Sequence, residues 1–160
     1  MNHLIRSRSE TIDVETNTAS SYAVSDVVSK MDQGTPMLTV YYTGSNVKSF
    51  DLKSFYFGCT LNLMQAAADP PTECLIQFTG YKGSDNQADG GAVQTCGKQF
   101  HYIPSTMTGA QQMSLENQDL SCFTGVQYII ITFELPGGMA ALDPATVLIL
   151  DDVIYTTHTC

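Results

Sequence analysis

Three histidines are the side chains that could act as a base near neutral pH: His3, His101 and His158. His101 lies between Phe100 and Tyr102, so in a strand it would point away from those two rings. It could contact a ligand there, although a surface histidine without a role is the favoured interpretation. The chain has no Gly-x-Ser-x-Gly elbow, no His-Glu-x-x-His and no phosphate-binding loop. Hydrolysis, phosphoryl transfer and redox catalysis therefore lack their usual residues.

The five cysteines favour disulfide chemistry over metal or thioredoxin chemistry. They are Cys59, Cys74, Cys96, Cys122 and Cys160. None belongs to a Cys-x-x-Cys motif, which zinc sites and thioredoxin-like sites use. The alternative, five buried free thiols, is less favoured.

Cys59 and Cys74 each lie at the edge of an apolar, aromatic run, and a segment with Asp69-Pro70-Pro71 separates them. This pattern is typical of two strands joined across a loop, and such a disulfide would stabilise the fold by about 3 kcal/mol. Among Cys96, Cys122 and the terminal Cys160, one thiol must stay free or pair between chains. We expect Cys160 to be the cysteine without a partner in the same chain, and a homodimer linked through it is one alternative.

Disulfides predict an extracellular protein or one in the secretory pathway. The first residues, Met1 to Arg8, have no apolar core of the kind that a signal peptide contains. The longest apolar run, Tyr128 to Phe133, has the length of a strand, so no membrane span is expected.

Charge excludes another class of partner. The chain has 16 acidic and 7 basic residues, a net charge of −9, and only 14% charged residues. No Lys or Arg occurs from Gln99 to Cys160. A nucleic-acid binder needs a basic face to replace the counterions of phosphate, so nucleic acid is not an expected partner.

The pattern along the chain predicts an all-β protein. Residues 1–20 are polar, and their apolar residues do not recur at a regular spacing. We therefore expect an N-terminal arm over residues 1–20 and a single domain over residues 21–160. Short β-rich runs separated by Gly, Asn, Asp and Pro turns predict an antiparallel sandwich with at most one short helix, at Asn62 to Ala68. The runs are Tyr22 to Ser29 (weaker), Met37 to Thr43, Ser49 to Leu61, Cys74 to Lys82, Ala92 to Ile103, Val126 to Leu135 and Val147 to Thr156.

Strand alternation separates a core face from a polar face. In the run Cys74 to Lys82, Ile76 and Phe78 share the face expected in the core, and the residues between them share the other. That second face could be a ligand surface or plain solvent-exposed strand. The candidate ligand-binding residues are Gln77, Thr79, Tyr81, Gln99, His101 and Tyr128.

Three strings carry a family resemblance over roughly residues 35 to 157: Ser49 to Cys59, Cys74 to Tyr81 and Leu150 to Tyr155. They resemble small secreted fungal proteins with a jelly-roll, galactose-binding-like β-sandwich. The chain is also similar to the β-sandwich hetero-Diels-Alderases of fungal natural-product clusters. These resemblances imply a jelly-roll topology and either a cyclase or, since the wider fold includes them, a carbohydrate-binding module.

The resemblance also implies a structural calcium ion, because jelly rolls of this type often use an acid of the last strand as a ligand. Asp151 or Asp152 would supply its oxygen here. Adjacent strand residues point to opposite faces, so the pair cannot form one acid–base dyad. Hydrogen bonds to loop amides, or exposure at a strand bend, are the favoured interpretation, and no other cofactor is expected.

Two functions from different classes remain after these exclusions. The absence of Trp, with seven Met and eight Tyr, favours an apolar pocket for a small neutral molecule, with or without a cofactor-free cyclisation. The alternative is a lectin-like module whose Tyr rings stack on sugars. A third alternative is a structural protein joined through Cys160. An enclosed apolar cavity would favour the pocket, and an open aromatic row would favour glycan binding.

Overall fold

The computed structural model describes residues 14–15, 23–25, 35–42, 44–61, 70–83, 91–106, 108, 111–134 and 146–159. These ranges form ten strands and one 3-10 turn at Ser121–Phe123. The strands are β1 (Val14–Glu15), β2 (Ala23–Ser25), β3 (Met37–Thr39), β4 (Val47–Leu61), β5 (Cys74–Lys82), β6 (Val93–Tyr102), β7 (Gln111–Gln112), β8 (Ser114–Glu116), β9 (Tyr128–Glu134) and β10 (Thr146–Thr159). Within the same ranges, no helix has the length and hydropathy needed to cross a membrane.

Two four-stranded antiparallel sheets make up the fold, which confirms the all-β sandwich. Sheet I has the order β2-β10-β4-β8, and sheet II has the order β3-β9-β5-β6. A small parallel pair, β1 with β7, accompanies them. All seven predicted runs overlap a strand of the two sheets, and β4 and β10 extend beyond their runs. The sequence pattern missed β1, β7 and β8, which are only two or three residues long.

Aromatic rings fill the space between the sheets. Phe55 of β4 stacks on Phe78 of β5 with ring centroids 4.6 Å apart, and it meets Phe100 of β6 edge-on at 5.0 Å. Phe57 adds contacts to Phe100 and Tyr102. Because these rings come from both sheets and are buried, they form the interior of the sandwich.

Two disulfides reinforce this core. Cys59–Cys74 joins β4 of sheet I to β5 of sheet II, as the sequence predicted, and both residues are buried. Cys96–Cys122 joins β6 to the 3-10 turn. Two disulfides are consistent with an oxidising, extracellular or secretory environment. Cys160 and the helix predicted at residues 62–68 lie outside the described residues.

A second, smaller apolar cluster lies on the other side of sheet I. It contains Met113, Val147 and Ile149, with Tyr56 packed against them. In β10 these residues alternate with Leu148 and Leu150, which belong to the main core. The first half of β10 is therefore apolar on both faces because both faces are covered.

Candidate functional site

The predicted polar residues of β5 and β6 share one face of sheet II, directed away from the core. Gln77 lies opposite Gln99 and Thr132, and the Gln99 Nε2 group donates a hydrogen bond to Gln77 Oε1 at 3.4 Å. Thr79 lies in the next row, between Gly97 and Ile130. The burial of Ile76, Phe78 and Phe100 confirms the predicted alternation. A ligand-binding role for this face stays a prediction.

His101 occupies the end of the polar face. Its Nε2 atom lies 2.7 Å from Glu73 Oε1, and both side chains are largely exposed. The ring nitrogen is thus already engaged by a carboxylate on the same surface.

Three tyrosines stand at the opposite end of this face. The rings of Tyr81 and Tyr128 stack with centroids 4.8 Å apart, and Tyr41 meets Tyr128 at 6.3 Å. The Tyr41 hydroxyl donates a hydrogen bond to the Gly83 carbonyl. Tyr128 is only 3% exposed, so its ring is covered by its neighbours. These tyrosines pack on one another and do not form an open row.

An apolar cleft, here called the edge cleft, lies elsewhere in the sandwich. It opens between β3, the outermost strand of sheet II, and the β4–β10 pair of sheet I, with a volume of about 240 Å³. Its wall consists of Met37, Leu38, Thr39, Val40, Tyr42, Val47, Phe50, Tyr155 and Thr157. None of the six predicted ligand-binding residues belongs to it. All nine wall residues are uncharged, which suits a neutral ligand.

Aromatic side chains dominate one side of the edge cleft. Phe50 and Tyr155 pack edge-to-face, with centroids 6.0 Å apart and an interplanar angle of 70°. Tyr155 is 55% exposed and Tyr42 is 57% exposed. The wall therefore combines a buried ring, two accessible rings and aliphatic side chains.

A register change in β4 explains how these residues reach the cleft. Phe50 and Leu52 face the core, but so do Phe55 and Phe57, so the inward positions change from even to odd numbers between them. Strict alternation cannot do this, and the register of β4 with β10 indeed shifts there. The spacing of three positions between Leu52 and Phe55, where alternation requires two, was the available sequence signal.

β10 carries the matching irregularity. Leu148 and Leu150 face the core, whereas Tyr155 and Thr157 line the cleft, and the register shifts between Asp151 and Tyr155. Asp152 adopts a φ of 45°, in the left-handed region. Together, the irregularities of β4 and β10 change which residues in the second half of β10 point inward. Tyr155 consequently lies opposite Leu52 and lines the cleft.

A cluster of charged and polar groups around the buried Asp51 carboxylate lies on the reverse side of these strands. The Asp51 carboxylate accepts a hydrogen bond from the Gly125 backbone N–H at 2.8 Å, and His158 Nε2 lies 2.8 Å from the same oxygen. Lys53 Nζ donates to the other oxygen at 3.3 Å. The His158 contact, followed by the Gly125 N–H, lowers the pKa of Asp51 from 3.8 to about 2. Asp51 and His158 are 107 residues apart, so sequence reasoning missed the cluster.

The residues around Asp151 do not fit the calcium site that the family resemblance implies. Asp151 is buried, 2% exposed, and its Oδ1 accepts a hydrogen bond from the Asp152 N–H at 2.9 Å. Calcium requires six to eight oxygen ligands. In the described part of the chain, no three His, Cys, Asp or Glu side chains converge on one point. This hydrogen bond comes from the next residue of β10 and not from a loop amide, and Asp151 is not exposed, so the favoured interpretation of the pair stays a prediction.

Comparison of the chain with protein-family models, with curated proteins and with solved structures found no match in any of the three. The resemblance to fungal jelly-roll proteins accordingly stays a prediction. Any functional conclusion rests on the chain's own residues and their geometry.

Proposed function

We propose that the protein binds a small, neutral, largely apolar molecule in the edge cleft. The observation that carries this proposal is the uncharged wall of a cleft of about 240 Å³, partly open to solvent, between strands of two different sheets. Ligand sites are concave and mostly apolar, with a few polar groups that orient the ligand. The volume lies just below the roughly 300–1,000 Å³ of sites for drug-sized molecules. The expected ligand is therefore smaller than a drug molecule.

Exposed side chains support the same proposal. Tyr42 and Tyr155 present apolar ring surface to solvent, and both border the cleft. Burying a large apolar side chain is worth about 1.5–3 kcal/mol, so a molecule that covers these rings gains binding energy. Thr157, another residue of the cleft wall, adds a hydroxyl group. An apolar body with one polar substituent matches this arrangement.

A cyclase of the hetero-Diels-Alderase type is the catalytic form of this proposal. Such an addition requires orientation of the reacting groups and a few hydrogen-bond donors, and it proceeds without an acid–base dyad. The hydroxyls of Thr39, Tyr42, Tyr155 and Thr157 are the side-chain donors that the cleft wall offers. Catalysis would thus arise from positioning in a wall without charged groups.

Glycan binding on the polar face of sheet II is the alternative. Its amides, Gln77 and Gln99, could bind hydroxyl groups, but they already contact each other. Sugar rings prefer an open aromatic surface, and Tyr128 is covered by Tyr41 and Tyr81. We therefore rank the edge cleft first.

The test uses two neutral probes, cyclohexanol and indole, titrated into the labelled protein while amide NMR signals are followed. We expect the largest changes at Leu38, Val40 and Val47, which line the cleft. The variant Thr157→Phe places a ring in the cleft and should abolish the changes. Thr156→Phe, one residue away on the opposite face of the strand, is the matched control and should retain them.

Both threonines are exposed, so neither substitution disturbs the core. Changes centred on Gln77 and Gln99 would favour the polar face instead. Absence of binding by both probes, or binding that Thr157→Phe leaves intact, would refute the edge cleft as the site.

A further inference from the structure

We infer that the edge cleft selects planar aromatic molecules over saturated molecules of the same carbon skeleton. The inference rests on the proposed function and names the ligand class of the same site. Its basis is the pairing of Phe50 with Tyr155, together with the position of the cleft between two sheets.

The shape of the cleft comes from its two walls. β3 supplies one wall from sheet II, and β4 with β10 supplies the other from sheet I. A gap between two packed sheets is bounded by side chains on two opposite sides. A flat ring system can contact both sides at once, whereas a puckered saturated ring of equal carbon number is thicker.

The chemistry of the wall favours rings as well. Phe50 and Tyr155 already form an edge-to-face pair, and Tyr155 remains more than half exposed. An inserted aromatic ring can extend this pair, because offset and edge-to-face contacts are favourable beyond the area that they bury. Met37, another wall residue, carries a thioether that can make a sulfur–aromatic contact with an inserted ring.

Volume sets the size of the ligand. An apolar cavity of about 150 Å³ accommodates benzene, and the edge cleft, at about 240 Å³, has room for a second fused ring. Tyr42 and Thr157 carry hydroxyls that can bind one polar substituent. The fitting class is a neutral, bicyclic aromatic compound with a hydroxyl or carbonyl group.

The experiment compares 2-naphthol with decahydro-2-naphthol, which has the same skeleton and hydroxyl group but is fully saturated. Titration calorimetry or NMR should show that 2-naphthol binds about three- to tenfold more tightly, the range expected for one aromatic pair. Tyr155→Leu should lower the ratio while binding of the saturated probe persists. Tyr155→Phe retains the ring and should retain the preference.

The outcomes separate the two proposals. Equal binding of both probes to the unmodified protein, or an unchanged ratio in Tyr155→Leu, overturns the aromatic preference and leaves the cleft as a binding site. Failure of both probes to bind overturns the proposed function itself. Because Tyr155 is exposed, its variants should keep the unfolding temperature of the parent protein, and thermal unfolding serves to verify this.

Discussion

The imidazole Nε2 of His158 lies 2.8 Å from the Asp51 carboxylate, and this contact joins the end of β10 to the start of β4. The same carboxylate accepts the Gly125 N–H, so three distant parts of the chain meet at one buried acid. The Asp51 side chain is 12% exposed, and the Gly125 N–H, the His158 ring and the Lys53 ammonium group contact its carboxylate. This cluster lies on the reverse side of the strands that line the edge cleft.

Acid should weaken the fold through Asp51. Its folded-state pKa, about 2, lies below the ordinary value of 3.8, so the ionised form stabilises the folded state. That contribution is complete above the unfolded-state pKa and is lost as the pH falls through 3.8 toward 2. Between about pH 6 and pH 2, the parent protein should lose about 2 kcal/mol more unfolding free energy than Asp51→Asn does. Urea unfolding at each pH measures the difference.

Asp119→Asn is the matched control for this experiment. Asp119 forms an ion pair with Lys98 on the surface, and its side chain is exposed. Asn also tolerates the positive φ of 52° at this position. The pH dependence of this variant should follow that of the parent protein. Identical pH dependence in Asp51→Asn would instead show that the Asp51 cluster contributes no stability.

The His158 contact should appear as an energetic coupling. In a double-mutant cycle with Asp51→Ala and His158→Ala, we expect a coupling free energy of about 1 kcal/mol at neutral pH. The reason is that each single change removes the same short hydrogen bond. Coupling below the error of the unfolding measurements would contradict a stabilising contact.

The fold could be predicted because its sequence signals are local. The site could not be predicted, because its contacts join residues that are distant in the sequence. Ile76 and Phe78 reveal a core face through simple alternation, and Cys59 and Cys74 flank a loop whose closure can be inferred. In both β4 and β10, the set of residues that points inward shifts by one position partway along the strand, and this shift forms the edge cleft. Simple alternation does not predict such a shift. The pairing of β10 with β4 brings Tyr155 to the cleft, and it links residues about a hundred positions apart in sequence.

Two glycines should respond in opposite ways to alanine. At Gly80, an added Cβ would lie 3.0 Å from Phe123 Cδ1 and 3.1 Å from Val126 Cγ1, both in the packed core. Gly80→Ala should therefore cost about 1–3 kcal/mol. At Gly97, the nearest atom is the flexible amide nitrogen of Gln94, at 3.3 Å. Gly97→Ala should leave stability unchanged or raise it by up to about 1 kcal/mol.

Denaturant unfolding of both variants provides the measurement. A Gly80→Ala protein as stable as Gly97→Ala would contradict the close approach of β5 to the turn at residues 121–126.

The two disulfides should differ in how they tolerate serine. Loss of either cross-link should cost about 3 kcal/mol. Cys59 and Cys74 are fully buried, so serine would add two hydroxyls in an apolar core, at about 1–3 kcal/mol each. The double serine variant should thus be clearly less stable than the double alanine variant.

The Cys96–Cys122 pair is the comparison for this experiment, because Cys96 is buried but Cys122 is exposed, so only one of its two serine hydroxyls would lie in the core. Its serine and alanine variants should differ in stability by about half as much as those of Cys59–Cys74. An equally large difference at this pair, or none at Cys59–Cys74, would contradict the burial pattern.

Asp152 should tolerate only residues that accept a left-handed backbone. Its φ of 45° lies where the register of β10 with β4 shifts, two residues before Ile154. Asn adopts this conformation readily, whereas the branched Cβ of Val clashes there. Asp152→Val should therefore lose about 1–2 kcal/mol relative to Asp152→Asn. Because this irregularity directs Tyr155 and Thr157 into the edge cleft, Asp152→Val should also shift their amide NMR signals, while those of β6 remain in place. Equal stability of the two variants would show that the backbone at Asp152 is not held in the left-handed region.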